Sequence, residues 1–373
     1  MGTSPPGYGR PIQNRPVDEV AERRIAAACP GAVVAPWPSD VAAHPFWGPW
    51  RSVGTGFATD EALRRRASSG GAISALAIHA LKSGVVDRVV HVIADPVHPT
   101  RNIMTCSTTA AEVEEGAGSR YSASAPLEVI DQVLSDGGKI AFIGKPCDVS
   151  AIRRLAEVDP RVDAHVKLLL SFFCAGIPSH DGAARVIAAM GLDPAEVSAF
   201  RYRGYGWPGN AVARTRDGRT AEMSYEESWG RHLSKEVQFR CKICPDAVGG
   251  AADIACADAW YGDDRGYPSF EEQDGRSLIL ARTATGEARL SAAVADGALA
   301  VQPLDIGEID RMQPAQARRK RLVRSRVAAL TATLQPKPDI SGTKVGEAAL
   351  RASPKEQISS LLGAVRRILI DRR

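Results

Sequence analysis

The chain has 373 residues, is 44% hydrophobic and 24% charged, and carries a net charge of +4. That length supports a large core in two domains, or in one domain with a substantial insertion. The mild charge, with no RNP motif, zinc-finger spacing or aromatic-rich basic face, points away from nucleic acid, and no run approaches the roughly 18–20 apolar residues of a membrane span.

Residues 1–15 are rich in Gly, Pro and Arg and lack the apolar stretch of a secretion signal. They are expected to be disordered, in a cytoplasmic protein. Residues 17–28 predict a short helix that stops at Cys29-Pro30-Gly31, and 36–50 an ordered loop. A strand over 54–60 leads to the turn Ser68-Ser69-Gly70-Gly71. The helix after it carries Ile73, Leu76, Ala77, Ala80 and Leu81 on one face and ends at Gly84. Residues 85–94 read as the next strand. Helices are expected over 126–134, 149–158 and 182–190, and buried strands over 140–143 and 166–173. Residues 200–210 read as an irregular loop, and 211–216 and 219–224 as a hairpin turning at Asp217-Gly218. A short helix over 225–234 precedes the CxxC. Strands follow over 252–257 and 277–282, then a basic helix over 318–330, a linker over 336–344 and an amphipathic helix over 354–370.

This order predicts an α/β fold: a mixed or mostly parallel sheet with flanking helices, a cysteine-bearing region and a C-terminal helical segment. The expected divisions are a partly disordered lead over 1–46, an α/β region over 47–330, and a linker with terminal helix over 331–373.

Seven cysteines without an export signal speak against a disulfide framework. Cys147 and Cys174 each follow a predicted buried strand, and Cys241 and Cys244 form a CxxC. Sites in open α/β sheets form beyond the carboxyl ends of strands, so these four can converge. Four thiolates suit either a [4Fe–4S] cluster or a structural zinc. Cys29, Cys106 and Cys256 are expected to be ordinary thiols. The histidines show no metal-ligand spacing.

The 68–71 turn offers hydroxyls and helix N-terminal N–H groups that suit a phosphate; a plain serine cap, a common feature, is the simpler reading. It is neither GxGxxG nor a Walker A motif. The run Arg318-Arg319-Lys320-Arg321, with Arg324 and Arg326, reads either as a solvated helix face or as a landing site for an acidic partner such as ferredoxin.

Several segments together resemble the coenzyme F420 hydrogenase/dehydrogenase beta-subunit family. They are Arg66-Ala67-Ser68-Ser69-Gly70-Gly71, Gly118-Ser119-Arg120-Tyr121, Gly144-Lys145-Pro146-Cys147, Phe173-Cys174, Cys241-Lys242-Ile243-Cys244-Pro245-Asp246, and Ala252-Asp253-Ile254 leading to Asp258-Ala259-Trp260. The resemblance implies a flavin, FAD with FMN as the alternative, and a [4Fe–4S] cluster. It implies electron passage between a one-electron carrier such as ferredoxin, or a deazaflavin coenzyme, and a small organic substrate. By position, Ser68, Ser69, Gly70 and Gly71 would cradle the flavin, and Ser119, Tyr121 and Lys145 would line it. Cys147, Cys174, Cys241 and Cys244 would hold the cluster, and Tyr121, Lys145 and Asp258 are the candidate proton donors. The alternatives are an electron-transfer subunit of a larger dehydrogenase and a zinc-stabilised binding protein without redox activity. Two departures stand out. Only Cys29-Pro30 remains where many members carry a ferredoxin-like module, so one cluster is expected. Ala257-Asp258 also replaces the usual Gly-Asp.

Overall fold

A computed structural model describes residues 2–5, 7–261 and 271–370. Its central element is an eight-stranded sheet. Numbered along the chain, its strands are β1 (Ser52–Ala58), β2 (Arg88–Ala94), β3 (Asn102–Ser107), β4 (Ile140–Gly144), β5 (Val166–Phe172), β6 (Ile254–Asp258), β7 (Ser277–Ala281) and β8 (Leu299–Pro303). In space the order is β8-β1-β7-β6-β5-β4-β2-β3. The four central strands, β6, β5, β4 and β2, run parallel. Antiparallel strands complete both sides. The sheet is therefore mixed, with a parallel centre, as expected.

Alternate residues of the central strands feed opposite cores. Val89, Ala141, Leu168 and Leu170 pack with Leu76 and Ala80 of α1 (Ala72–Lys82). Val90, Phe142 and Leu169 pack on the other face with Ile152 and Leu155 of α2 (Pro146–Ala156). The period-two pattern of a strand, buried on both sides, gives the continuous apolar runs that made β4 and β5 legible.

Four further helices shape the C-terminal side: α3 (Phe239–Lys242), α4 (Pro314–Arg321), α5 (Val323–Ala332) and α6 (Pro354–Leu369). Phe239 of α3 and Ile243 just after it share a buried cluster with Ala329 and Leu330 of α5 and with Ala364 and Ile368 of α6. The terminal helix is thus packed beneath the CxxC segment. The basic stretch expected as one helix is two, broken at Leu322.

The lead is a correction. Gly2–Ser4 and Tyr8–Arg10 pair as a hairpin, Tyr8 is buried, and the Gly7 carbonyl accepts the His180 N–H at 2.8 Å. The hairpin over 211–223 forms as expected, joined by Val197–Arg201 into a small three-stranded sheet. No helix among the described residues is long and apolar enough to cross a membrane.

Candidate functional site

The parallel strands β4, β5 and β6 end at Gly144, Phe172 and Asp258, and a cavity of about 1330 Å³ opens across those ends. It exceeds the roughly 300–1,000 Å³ of a usual single-ligand pocket. Ser68, Ser69, Gly71, Ser119, Tyr121 and Lys145 line one part of it; Cys174 and Cys241 line another.

The 68–71 turn is tied to the sheet. Ser69 Oγ donates to the Arg276 carbonyl at 2.9 Å, and the Gly70 N–H donates to Ser277 Oγ at 3.0 Å. Gly71 adopts φ +75 and starts α1. Residues 72–74 then line the cavity, and their N–H groups, as the first turn of a helix, lack intrahelical acceptors. Ser68 Oγ and Ser119 Oγ lie 2.6 Å apart at the same wall. Gly70 does not line the cavity. A Cβ there would stand 2.6 Å from the Gly56 carbonyl oxygen and from the Ser277 nitrogen. Its glycine is therefore required by close packing on β1 and β7, and not by approach of a ligand.

Lys145 is buried, and its Nζ donates to Asp148 Oδ2 and Ser124 Oγ, each at 2.7 Å. Burial pulls its ammonium down, but the charges of Asp148 and Cys147 more than offset this and hold it above its ordinary value. It therefore serves as a fixed cation. Asp258 accepts a two-pronged contact from the fully buried Arg203, at 2.8 and 3.0 Å, and a third bond from Trp207 Nε1 at 3.0 Å. Arg203 in turn lies over the rings of Tyr225 and Trp260. Burial lowers the Arg203 guanidinium and the Asp258 carboxylate outweighs that, leaving it raised. With both oxygens occupied, Asp258 is an ionic strut. Tyr121 packs against Trp229 and Tyr202, its centroid 4.8 and 5.7 Å from theirs, and its hydroxyl meets that of Tyr225. Arg203 falls in the stretch 200–210 that reads as irregular loop, so sequence did not mark it.

The four cysteines come together. Cys147 sits in the first turn of α2, Cys174 just past β5, and Cys241 and Cys244 at α3. All four are free and partly buried. Burial pushes the Cys174 thiol up to about 12, with the charge of Cys241 adding to it. Cys147 is raised by burial and Asp148, and it also lies within reach of Cys174 and Cys244. Among the described residues no group of three or more His, Cys, Asp or Glu side chains closes tightly enough to hold one metal ion. Four convergent thiols are a donor set that suits either an iron–sulfur cluster or a zinc. Cys29 and Cys106 are exposed and Cys256 is buried in β6.

The basic run is only in part a solvated face. Arg319 Nη1 donates to the Cys174 carbonyl at 2.8 Å and Nη2 to the Ala175 carbonyl. Lys320 is buried over the Trp37 ring and donates to the Pro245 carbonyl. Of this stretch, Arg318 and Arg324 are the exposed cations.

Residues 53–131 match the family model for the N terminus of the coenzyme F420 hydrogenase/dehydrogenase beta subunit, and residues 137–306 match the model for its C terminus. The coenzyme F420 hydrogenase subunit beta of Methanococcus voltae is 27% identical over 255 residues, covering 66% of this chain and 82% of that protein. The F420-dependent formate dehydrogenase subunit beta of Methanocaldococcus jannaschii is 28% identical over 60% of this chain and 57% of its own length. The chloroplastic 7-hydroxymethyl chlorophyll a reductase of Oryza sativa is 24% identical over 59% of this chain and 45% of its own. A chain from the F420-reducing [NiFe] hydrogenase complex of Methanosarcina barkeri shares the fold, with a TM-score of 0.60 and 22% identity. That match covers 77% of this chain and 96% of the other.

Proposed function

The chain belongs to the coenzyme F420 hydrogenase/dehydrogenase beta-subunit family, and from that membership we propose a flavin-dependent iron–sulfur oxidoreductase. It would pass electrons between a one-electron carrier such as ferredoxin, or a deazaflavin coenzyme, and a small organic substrate. The observation that carries this reading is one continuous cavity. It is lined by a Ser-Gly helix start on one side and by cysteines of the convergent set on the other.

When bound, a flavin would supply hydride exchange and a cluster single-electron exchange. The chain's own residues would do the rest. Ser68, Ser119 and the first turn of α1 would bind the flavin phosphates, FAD being the better match to the large cavity. Lys145 would hold a fixed positive charge beside the bound groups, stabilising an anionic form. Tyr121 is the proton donor this reading favours, acting from its hydroxyl oxygen. Lys145 is committed to Asp148, and Asp258 to Arg203. Cys147, Cys174, Cys241 and Cys244 would hold the cluster. The relatives named as hydrogenase and formate dehydrogenase subunits support a second reading, an electron-transfer subunit of a larger assembly.

Visible spectroscopy of anaerobically prepared protein tests the proposal. Overlapping flavin and iron–sulfur absorption that bleaches on reduction is expected; a colourless protein defeats it. The native mass separates the two readings, since a complex with a larger subunit favours the second.

A further inference from the structure

Three cations in the short stretch 319–326 each grip the backbone of a different part of the cysteine-bearing loops. Arg319 holds the carbonyls of Cys174 and Ala175. Lys320 holds the carbonyl of Pro245, next to Cys244, and also that of Thr343 at 2.6 Å. Arg326 donates from Nη1 to the carbonyl of Lys242, next to Cys241, at 2.8 Å, while its Nε is fixed by Ser360 Oγ of α6 at 3.1 Å. The stretch lies beyond residue 306, where the family match ends. We propose that α4 and the start of α5 form a cationic clamp that fixes the spacing of the Cys174 and Cys241–Cys244 loops and raises the reduction potential of the cluster they hold.

The inference rests on the reading that these cysteines hold a [4Fe–4S] cluster. Its geometric part is the set of bonds above. Two loops far apart in sequence are joined through the consecutive helices α4 and α5, so neither can drift without breaking charge-assisted bonds. Its electrostatic part is the excess of cations around Arg326; the buried Asp246 acts on Lys320. The charged neighbours that act on Arg326 are Arg319, Arg367 and Arg318, all cations, and Arg318, Arg319, Arg326 and Arg367 line the same cavity as Cys174 and Cys241. Partly buried like charges repel, and they persist where an anion balances them. Four thiolates on an iron–sulfur core supply that anion. Adding an electron makes the core more negative, so a nearby cation favours the reduced form.

The test uses anaerobic holoprotein with the variants Arg319→Gln, Arg326→Gln and Arg319→Lys. Arg366→Gln, on the exposed side of α6, is the control. Iron release to a chelator and the midpoint potential from an EPR-monitored titration are the readouts, with circular dichroism to verify the fold. The Gln variants are expected to release iron about 10-fold faster, the usual size of outer-shell effects, and to shift the potential negative. Arg319→Lys keeps the charge but not the fork, so it should keep the potential and still lose iron faster. Should one Gln variant not fold, the other Gln variant together with Arg319→Lys carries the test. A loaded wild type whose variants match Arg366→Gln in both readouts overturns the clamp and leaves the cluster reading intact. A wild type without iron overturns both.

Discussion

Two side chains divide the candidate chemistry from its support. Tyr121 lines the cavity and has no ion pair, so, as the proposed proton donor, its change Tyr121→Phe is expected to lower turnover about 10²-fold, the scale of a lost general acid. Flavin content should be unchanged, because the ring still packs on Trp229 and Tyr202. Equal turnover would move the proton donor elsewhere. Arg203 is different. Its removal leaves the partly buried Asp258 carboxylate with only its Trp207 bond, and breaking a buried ion pair costs up to about 3–5 kcal/mol. Arg203→Met should therefore lower the urea midpoint strongly, and an unshifted midpoint would contradict the strut. Tyr121 was marked in the sequence only through the family motif Gly118-Ser119-Arg120-Tyr121. Arg203 was not, because its partner lies across the fold and its own neighbourhood of Gly and Tyr reads as loop. Gly70 was legible as a required glycine, but for a different reason. Its contacts are with β1 and β7, which only the packed sheet brings there.

At the scale of elements, the strands with apolar residues on both faces could be read directly, and the edges could not. β3 and β8 are partly exposed and mix polar with apolar residues, so no run marks them. The basic segment misled for a related reason. A string of cations reads as a solvated face, yet carbonyl groups of distant loops satisfy Arg319 and Lys320 out of water. Such partners leave no trace in residue order. The helix start at Gly71 yields a separable pair of outcomes. Ser68→Ala with Ser119→Ala should weaken flavin retention while the melting temperature holds. Gly70→Ala should lower the melting temperature, because any Cβ meets backbone. Should the serine pair retain full flavin while Gly70→Ala is stable, the turn is neither the phosphate site nor a packing constraint.

For the whole molecule, the cysteine loops, the helix start and the sheet ends meet in one cavity, with exposed Arg318 at its wall. Arg318 and Arg324 are exposed and are the residues left for an acidic carrier. Reduction by ferredoxin should slow as salt rises, and Arg318→Glu with Arg324→Glu should slow it further, with dithionite reduction unaffected. A salt-independent rate would place the carrier on another surface. The central claim is that Cys147, Cys174, Cys241 and Cys244 hold one cubane beside a flavin. Its most direct test is metal, sulfide and flavin analysis of anaerobic protein. The account predicts about four iron, four sulfide and one flavin per chain, with iron lost on Ser substitution of any of those four cysteines and kept on substitution of Cys29, Cys106 or Cys256. One zinc per chain, with no iron and no flavin, would contradict it.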